Sequence, residues 1–268
     1  MELWFAALLG VVQGLTEFLP VSSTAHLTIV PALLGVPDPG AAYTAVIQLG
    51  TLVAVVWYLR TDLARMTIGL ARGPRGPDAR LALLVALGTA PIGIAGLALE
   101  PLVDGALRSL WVIVGTLAGV GVLMWLIDRR ASLRRDLDSL RPSDALLIGC
   151  AQALALVPGV SRSGATILCA LWLGLRRDAA ARLSFLLSIP AIAAAGVFKL
   201  PDAVRALGPE AAPALLVGAL VAALTGYAAI AWLMHHLRAR SLGGFAAYRV
   251  LVALLLAALL VSGVVRAA

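Results

Sequence analysis

Charge is what this chain has least of. Asp, Glu, Lys and Arg together make up 13% of its 268 residues, against about a quarter in a soluble domain. Lysine is almost missing, since Lys199 is the only one among 21 basic residues. With 61% hydrophobic residues and a mean hydropathy of +0.98, that scarcity excludes a soluble globular domain and indicates a polytopic membrane protein. Cysteine is scarce too. Cys150 and Cys169 stand in apolar segments without disulfide or metal-ligand spacing, and are expected to be small buried hydrophobes. Neither the zinc motif HExxH nor the P-loop GxxxxGK(S/T) occurs.

The net charge of +7 and pI near 10.4 could suggest nucleic acid. That reading is rejected, because the basic residues lie in short stretches between apolar spans, as membrane orientation requires. The apolar N-terminus does not read as a cleaved signal. It lacks a basic n-region, and Glu17 with a polar cluster interrupts it.

Six segments are long and apolar enough to cross a bilayer, at about 41–59, 81–99, 110–127, 183–200, 211–234 and 245–265. Two further apolar stretches, 3–35 and 145–175, break in their middles at Pro20-Val-Ser-Ser-Thr and at Pro158-Gly-Val-Ser-Arg-Ser-Gly. Proline and glycine stop helices, and irregular backbone at membrane depth survives only inside protein or beside water. Each stretch is therefore expected to form two short helices joined by a polar elbow, entering and leaving on one side.

Loop charges support that topology. Arginines cluster at 60–80, 129–141, 176–182 and 238–249, and all four clusters fall on one side if neither hairpin crosses. That side holds sixteen basic residues, Arg249 among them. The other side holds four, namely Arg108, Lys199, Arg205 and Arg266. The positive-inside rule puts the sixteen in the cytoplasm and both termini outside. Each half, about 1–128 and 142–268, is then one hairpin followed by three spans. Three is odd, so the halves are inverted and their elbows can meet near the midplane. The expected fold is a single all-α integral membrane domain of six transmembrane helices plus two re-entrant helical hairpins in an inverted-topology repeat.

The elbows resemble each other, QGLTEFLPVSSTAH (13–26) against QALALVPGVSRSGA (152–165). Each carries a charge that is costly at membrane depth, Glu17 in one and Arg162 in the other. Gln13 and Glu17 are one turn apart on a helix face. Ser22, Ser23 and Thr24 suit a helix N-cap, whose free N–H groups favour an anion, and His26 follows just inside. In the second elbow Gly159 and Gly164 allow close backbone approach, Ser161, Ser163 and Thr166 supply hydroxyls, and Arg162 offers a planar fork for phosphate oxygens. Structural alternatives exist: the hydroxyls only cap, His26 is a satisfied core imidazole, and Arg162–Glu17 is an ion pair locking the halves. Gln48, Ser184 and Ser188 are weaker candidates for interhelical hydrogen bonds. His235 and His236 read as interfacial, and Tyr43, Trp57, Tyr58, Trp111, Trp125, Trp232 and Tyr248 as an aromatic belt.

At these residues the chain resembles a known family, the bacterial undecaprenyl-diphosphate phosphatases of the bacitracin-resistance (BacA) type. The resemblance rests on an (E/Q)xxxE segment, here Gln13 to Glu17 running into FLPVSSTAH, and a PGxSRSxxT segment, here Pro158 to Thr166. It implies an enzyme of the bacterial plasma membrane that removes the terminal phosphate of C55 isoprenyl diphosphate. This recycles the carrier for peptidoglycan synthesis and confers bacitracin resistance. It also implies dependence on a divalent cation (Mg²⁺ or Ca²⁺), an inverted-repeat fold and a site opening outward. Carried over by position, Glu17, Ser23, His26 and Arg162 are the expected catalytic group. Gln13, Ser22, Thr24, Gly159, Ser161, Ser163 and Thr166 are the expected substrate-binding group. Many members have an acid where Gln13 stands, which leaves Glu17 as the carboxylate to hold a metal. Ser23, His26 and water all remain open as the attacking group. The expected partners are the lipid substrate and the bilayer, not nucleic acid, and a homodimer is left open. On architecture alone, a transporter or flippase of an anion or anionic lipid is the rival, and metal-dependent phosphate release discriminates.

Overall fold

The computed structural model describes residues 1–104, 107 and 109–265, without the side chains of 41, 100–104, 202–204, 206, 207 and 209. Arg108 and Arg266, two of the four basic residues expected on the sparser side, lie outside this description. Among the described residues eleven α-helices run in order: α1 (Leu3–Phe18), α2 (Ser23–Leu34), α3 (Gly40–Tyr58), α4 (Arg60–Arg72), α5 (Pro77–Asp104), α6 (Leu110–Arg130), α7 (Pro142–Ala153), α8 (Arg162–Trp172), α9 (Arg177–Leu207), α10 (Ala212–Ala239) and α11 (Gly243–Val261). Among the described residues no strand forms. The one isolated bridge joins Arg135 to Leu175.

Five helices, α5, α6, α9, α10 and α11, are long and apolar enough to cross a membrane. Taking α3 with α4, bent from it by 73°, makes a sixth. All six expected spans fall in these helices. The stretch 60–80 is not the plain loop expected from its arginines, because α4 occupies 60–72 and α5 already starts at Pro77. Helix α4 is amphipathic rather than uniformly apolar. Its Asp62 accepts from Arg65 at 2.7 Å and pairs with Arg182 of α9, while Ile68 and Leu70 are exposed. A charged helix with one apolar face suits the plane of a membrane interface.

The arginine-rich segments meet at one end of the bundle. Arg182 reaches Asp62, and Arg177 donates to Asp128 at 2.6 Å. Arg80 donates to the carbonyls of Asp138 and Leu140, and Arg135 to Asp144. These pairs staple the ends of α4, α5, α6, α7 and α9 together.

The first helix of each hairpin takes its main partner from the other half of the chain. Helix α1 packs chiefly on α10, and α7 on α5. Both approaches are close enough to require missing side chains. A Cβ on Gly14 would strike Thr225 and come within 2.7 Å of the Ala222 carbonyl. On the other pair, a Cβ on Gly149 would strike the Gly88 carbonyl. In lipid, helices associate by packing rather than by hydrophobic burial, so small residues mark such seams. Cys150, beside Gly149, is exposed rather than buried as expected, and Cys169 is half-buried. The exposed face of a membrane helix meets lipid, where a thiol is equally at home.

Candidate active site

Both elbows end a helix by the same chemistry. Pro20 forces Leu19 into the extended region (φ −67°, ψ 141°), and Pro158 does the same to Val157 (φ −74°, ψ 122°). Each chain then turns through a serine with positive φ, Ser22 at 75° and Ser161 at 76°. Residues with a Cβ avoid this region, and such strain persists only where the surroundings impose it. The turn aims each serine hydroxyl at its own helix N-terminus. Ser22 Oγ accepts from Ala25 N at 3.5 Å, and Ser161 Oγ from Gly164 N at 3.1 Å. Helices α2 and α8 thus begin side by side, positive ends towards one cavity.

The cavity has a volume of about 620 Å³. Six of the eleven expected site residues line it: Glu17, Ser22, Ser23, Thr24, Ser161 and Arg162. Glu17 is buried, yet three side chains converge on its carboxylate. Arg162 donates to Oε1, while Gln13 Nε2 and Ser23 Oγ each donate to Oε2 at 2.7 Å. The expected locking pair Arg162–Glu17 therefore exists, and it stands inside the cavity beside a hydroxyl in contact with a carboxylate.

The other five expected residues stand behind the cavity wall. Gln13 is fully buried, and its Nε2 is bound to Glu17. Ser163 Oγ donates to the Leu19 carbonyl at 3.1 Å, tying the second elbow to the first. Thr166 Oγ1 donates to Ser184 Oγ at 2.7 Å, so it faces α9 rather than a substrate. Gly159 (φ 90°) lies where a Cβ would strike Thr116 of α6. Its role is to let the elbow approach α6. Both ring nitrogens of His26 are engaged, Nδ1 with the Ser22 carbonyl and Nε2 with Tyr248 Oη, each at 2.7 Å. That ring also stacks on Tyr248. An imidazole so held supports the Ser22 turn and does not face the cavity.

Residues 6–255 match the family model described as bacitracin resistance protein BacA. The chain belongs to the BacA family. It is similar to an undecaprenyl-diphosphatase of Myxococcus xanthus, with 51% identity across 98% of this chain and 91% of that protein. It is also similar to one of Corynebacterium diphtheriae, with 45% identity across 97% and 94%. An undecaprenyl-diphosphatase 2 of Frankia casuarinae shares 47% identity across 98% and 96%.

In this BacA-family chain the main residue missed by sequence reasoning is Arg249. Counted above with the loop arginines, it is fully buried. Its guanidinium donates to carbonyls of both elbows, Pro20 at 3.2 Å, Gly159 at 2.7 Å and Val160 at 3.2 Å, and to Thr116 of α6 at 3.3 Å. Elbow carbonyls have lost their helical donors, and a buried fork of N–H groups satisfies them. The signal was present in the sequence, because Arg249 lies six residues inside the otherwise apolar α11. Tyr43 leaves the aromatic belt, being buried in the core, whereas Trp57, Trp111, Trp125, Trp232 and Tyr248 are exposed as a belt requires, Tyr248 while also bonded to His26.

Among the described residues no group of three or more His, Cys, Asp or Glu side chains is placed to hold a metal. The donors at hand are one carboxylate (Glu17), the hydroxyls of Ser23 and Thr24, and the buried Gln13 Oε1, which has no hydrogen-bond partner. All are hard oxygens of the kind Mg²⁺ and Ca²⁺ take, in a number that leaves room for substrate and water oxygens.

Proposed function

We infer that this chain hydrolyses undecaprenyl diphosphate to undecaprenyl phosphate and inorganic phosphate, recycling the lipid carrier of peptidoglycan synthesis. The observation that carries the mechanism is the contact of Ser23 Oγ with the Glu17 carboxylate in the same cavity as Arg162. A hydroxyl in contact with a carboxylate is the arrangement of an activated nucleophile, and an arginine fork beside two helix N-termini is that of a phosphate cradle.

In the proposed sequence the terminal phosphate enters between Ser23 and Arg162, and Arg162 turns from Glu17 to phosphate oxygens. Ser23 Oγ attacks the terminal phosphorus while its proton passes to Glu17. The bond from phosphorus to the bridging oxygen breaks, and undecaprenyl phosphate leaves with the proton that Glu17 took from Ser23, which restores the carboxylate. Water then attacks the phosphoserine and gives up a proton to the Glu17 carboxylate. Glu17 passes that proton to the departing serine oxygen, and inorganic phosphate is released. The demand on the protein is positioning and charge neutralisation, which a dry cavity strengthens. His26 stands behind this sequence and fixes the Ser22 turn that presents Ser23. When bound, a divalent cation would add charge neutralisation. Glu17, Gln13 Oε1 and the Ser23 and Thr24 hydroxyls are the groups to hold it.

For the membrane arrangement the proposal is six spans (α3, α5, α6, α9, α10, α11) with α1–α2 and α7–α8 as re-entrant hairpins of an inverted repeat. The hairpin helices have only 16, 12, 12 and 11 residues, against about 20 for a crossing. The partner exchange of α1 with α10 and α7 with α5 is what an inverted repeat requires. The arginine-bearing end would face the cytoplasm and the cavity would open outward from a bacterial plasma membrane.

The test is phosphate release from undecaprenyl diphosphate by detergent-solubilised protein, with and without chelator. Release that depends on Ser23, and a phosphorylated Ser23 trapped by rapid acid quench, supports the sequence. Release undiminished in Ser23→Ala eliminates the serine route in favour of direct water attack. No release from well-folded intact protein eliminates the phosphatase.

A further inference from the structure

Helices α5 and α9 form the long wall of the cavity, and they are not parallel neighbours along their whole length. They are tight where a Cβ on Gly88 would come within 2.9 Å of Leu187 Cδ2. One and two turns further along α5, a Cβ on Gly93 or Gly96 would meet nothing within 4 Å. Ala194, Ala195 and Phe198 of α9 line the opposite side of the opening, which ends at Lys199. Three large apolar side chains of this wall face the cavity and are also open to the outside of the bundle, Ile94 at 71%, Leu97 at 69% and Phe198 at 51% exposed. A cavity whose apolar lining is simultaneously bundle surface is open sideways, into lipid.

We propose that the gap between the outer halves of α5 and α9 is the side portal through which the isoprenoid chain of the substrate leaves the cavity for the bilayer, and that its width, set by Gly93, Gly96 and Ala194, governs selection for long-chain lipid diphosphates. The proposal rests on the phosphatase reading and deepens it by naming the path of the tail. The occupant follows from continuity, because one cavity is lined by Glu17, Ser23 and Arg162 and also by the apolar residues of α5 and α9. At about 620 Å³ the cavity holds a headgroup and the first isoprene units, comparable to a drug-sized ligand. The remainder of a C55 chain must pass out between helices, and α5–α9 is where the lining is both apolar and open. Small residues there leave the backbone surface flush, so a methyl-branched chain can lie against it.

The experiment compares a C55 and a C15 isoprenyl diphosphate as substrates for the intact protein, Gly93→Leu, Ala194→Leu and Gly119→Leu. Gly119 is exposed on α6, outside the cavity lining, with nothing within 4 Å of its Cβ position. Leucine is a better helix former than glycine and only slightly poorer than alanine, so these helices are not appreciably weakened. The expected result is a loss of roughly tenfold or more in kcat/KM for the C55 substrate in the two portal variants. The C15 substrate and Gly119→Leu should change less than about twofold, since no portal contact is altered there. Equal loss on both substrates, or no loss on either, overturns the portal. A second readout does not need turnover. Ala194→Cys, in a protein with Cys150 and Cys169 replaced by alanine, is labelled by a lipid-soluble maleimide. Undecaprenyl phosphate should protect this thiol and inorganic phosphate should not. Absence of protection overturns the portal, whereas protection without hydrolysis by the intact protein keeps the portal and overturns the phosphatase.

Discussion

The two elbows are built alike and equipped differently. Each has a proline after the first helix, a positive-φ serine at the turn and that serine capping the second helix. Yet where the first elbow carries Glu17 and Ser23, the second carries Leu156 and Arg162 at the matching positions, and all four line one cavity. One half supplies a carboxylate and a hydroxyl, and the other a guanidinium and an apolar side chain. The comparison teaches that the repeated part is the backbone device. It points two helix N-termini at one spot, and divergence at two side-chain positions gives the halves the different groups that the proposed mechanism uses for proton handling and for anion binding.

The sharpest way to break that division is to remove each side in turn. Ser23→Ala and Arg162→Ala are each expected to lower phosphate release by about 10³-fold or more, the scale of losing a nucleophile or a charge aimed at the transition state. Ser161→Ala, which removes only a cap, is expected to cost about 1 kcal/mol of stability with activity largely kept. Equal loss in Ser161→Ala and Ser23→Ala, measured as kcat on folded protein, would put chemistry in both elbows and end the distinction.

Next comes what joins them. Arg249→Met strands the elbow carbonyls of Pro20, Gly159 and Val160 without their donor, at about 1–3 kcal/mol for each group left unsatisfied. A large drop in Tm in detergent is expected, together with lost activity. Arg249→Lys should not rescue, because a point-charge ammonium cannot reach both elbows as a planar fork does. Full rescue by lysine would mean that charge, not the fork, is what counts.

A smaller effect separates support from catalysis in the first elbow. Tyr248→Phe deletes one hydrogen bond to His26 and should cost only a few-fold in rate, corresponding to about 0.5–1.5 kcal/mol. His26→Ala should fall within about tenfold of the intact protein, whereas a general base would cost about 10²–10⁴. A loss in the upper range, with a shifted pH profile, would return His26 to the chemistry.

The smallest expected effect lies at the entrance of the second hairpin. Burial alone would push the Asp144 carboxyl up. The Arg135 guanidinium and the Arg141 backbone N–H outweigh it and hold the carboxyl below the ordinary carboxylate value. A depressed folded value means that the pair stabilises the fold in full above about pH 4. Its contribution is lost as pH falls through the folded value. Asp144→Asn should therefore lower Tm slightly at neutral pH and flatten the acid side of a Tm–pH curve. An unchanged acid limb would mean that other carboxylates set it.

Much of this arrangement was legible in residues alone. Apolar length marked the long helices, because lipid demands it of every crossing helix. The prolines at 20 and 158 marked the elbows because proline disfavours a helical residue before it and each is followed by a polar cluster, whereas Pro31 and Pro190 stand between apolar residues and stay inside helices. Glu17 and Arg162 declared themselves as charges in apolar surroundings. Partner choice was not legible in the same way. Nothing in the spacing of Thr166 says that its hydroxyl turns to Ser184, or in that of His26 that it meets Tyr248 across 222 residues. Arg249 was misplaced because a charge six residues inside a span looks like a flanking charge until the helix is packed.

The sequence by itself determined that the protein is a helical membrane protein with two polar elbows, since solvation in lipid acts locally, residue by residue. Only the tertiary structure decided that α1 packs on α10 and α7 on α5, which brings the elbows together and sets Ser23, Glu17 and Arg162 in one cavity. Close packing and the need to satisfy elbow carbonyls are properties of neighbours distant in sequence, and no local pattern encodes them.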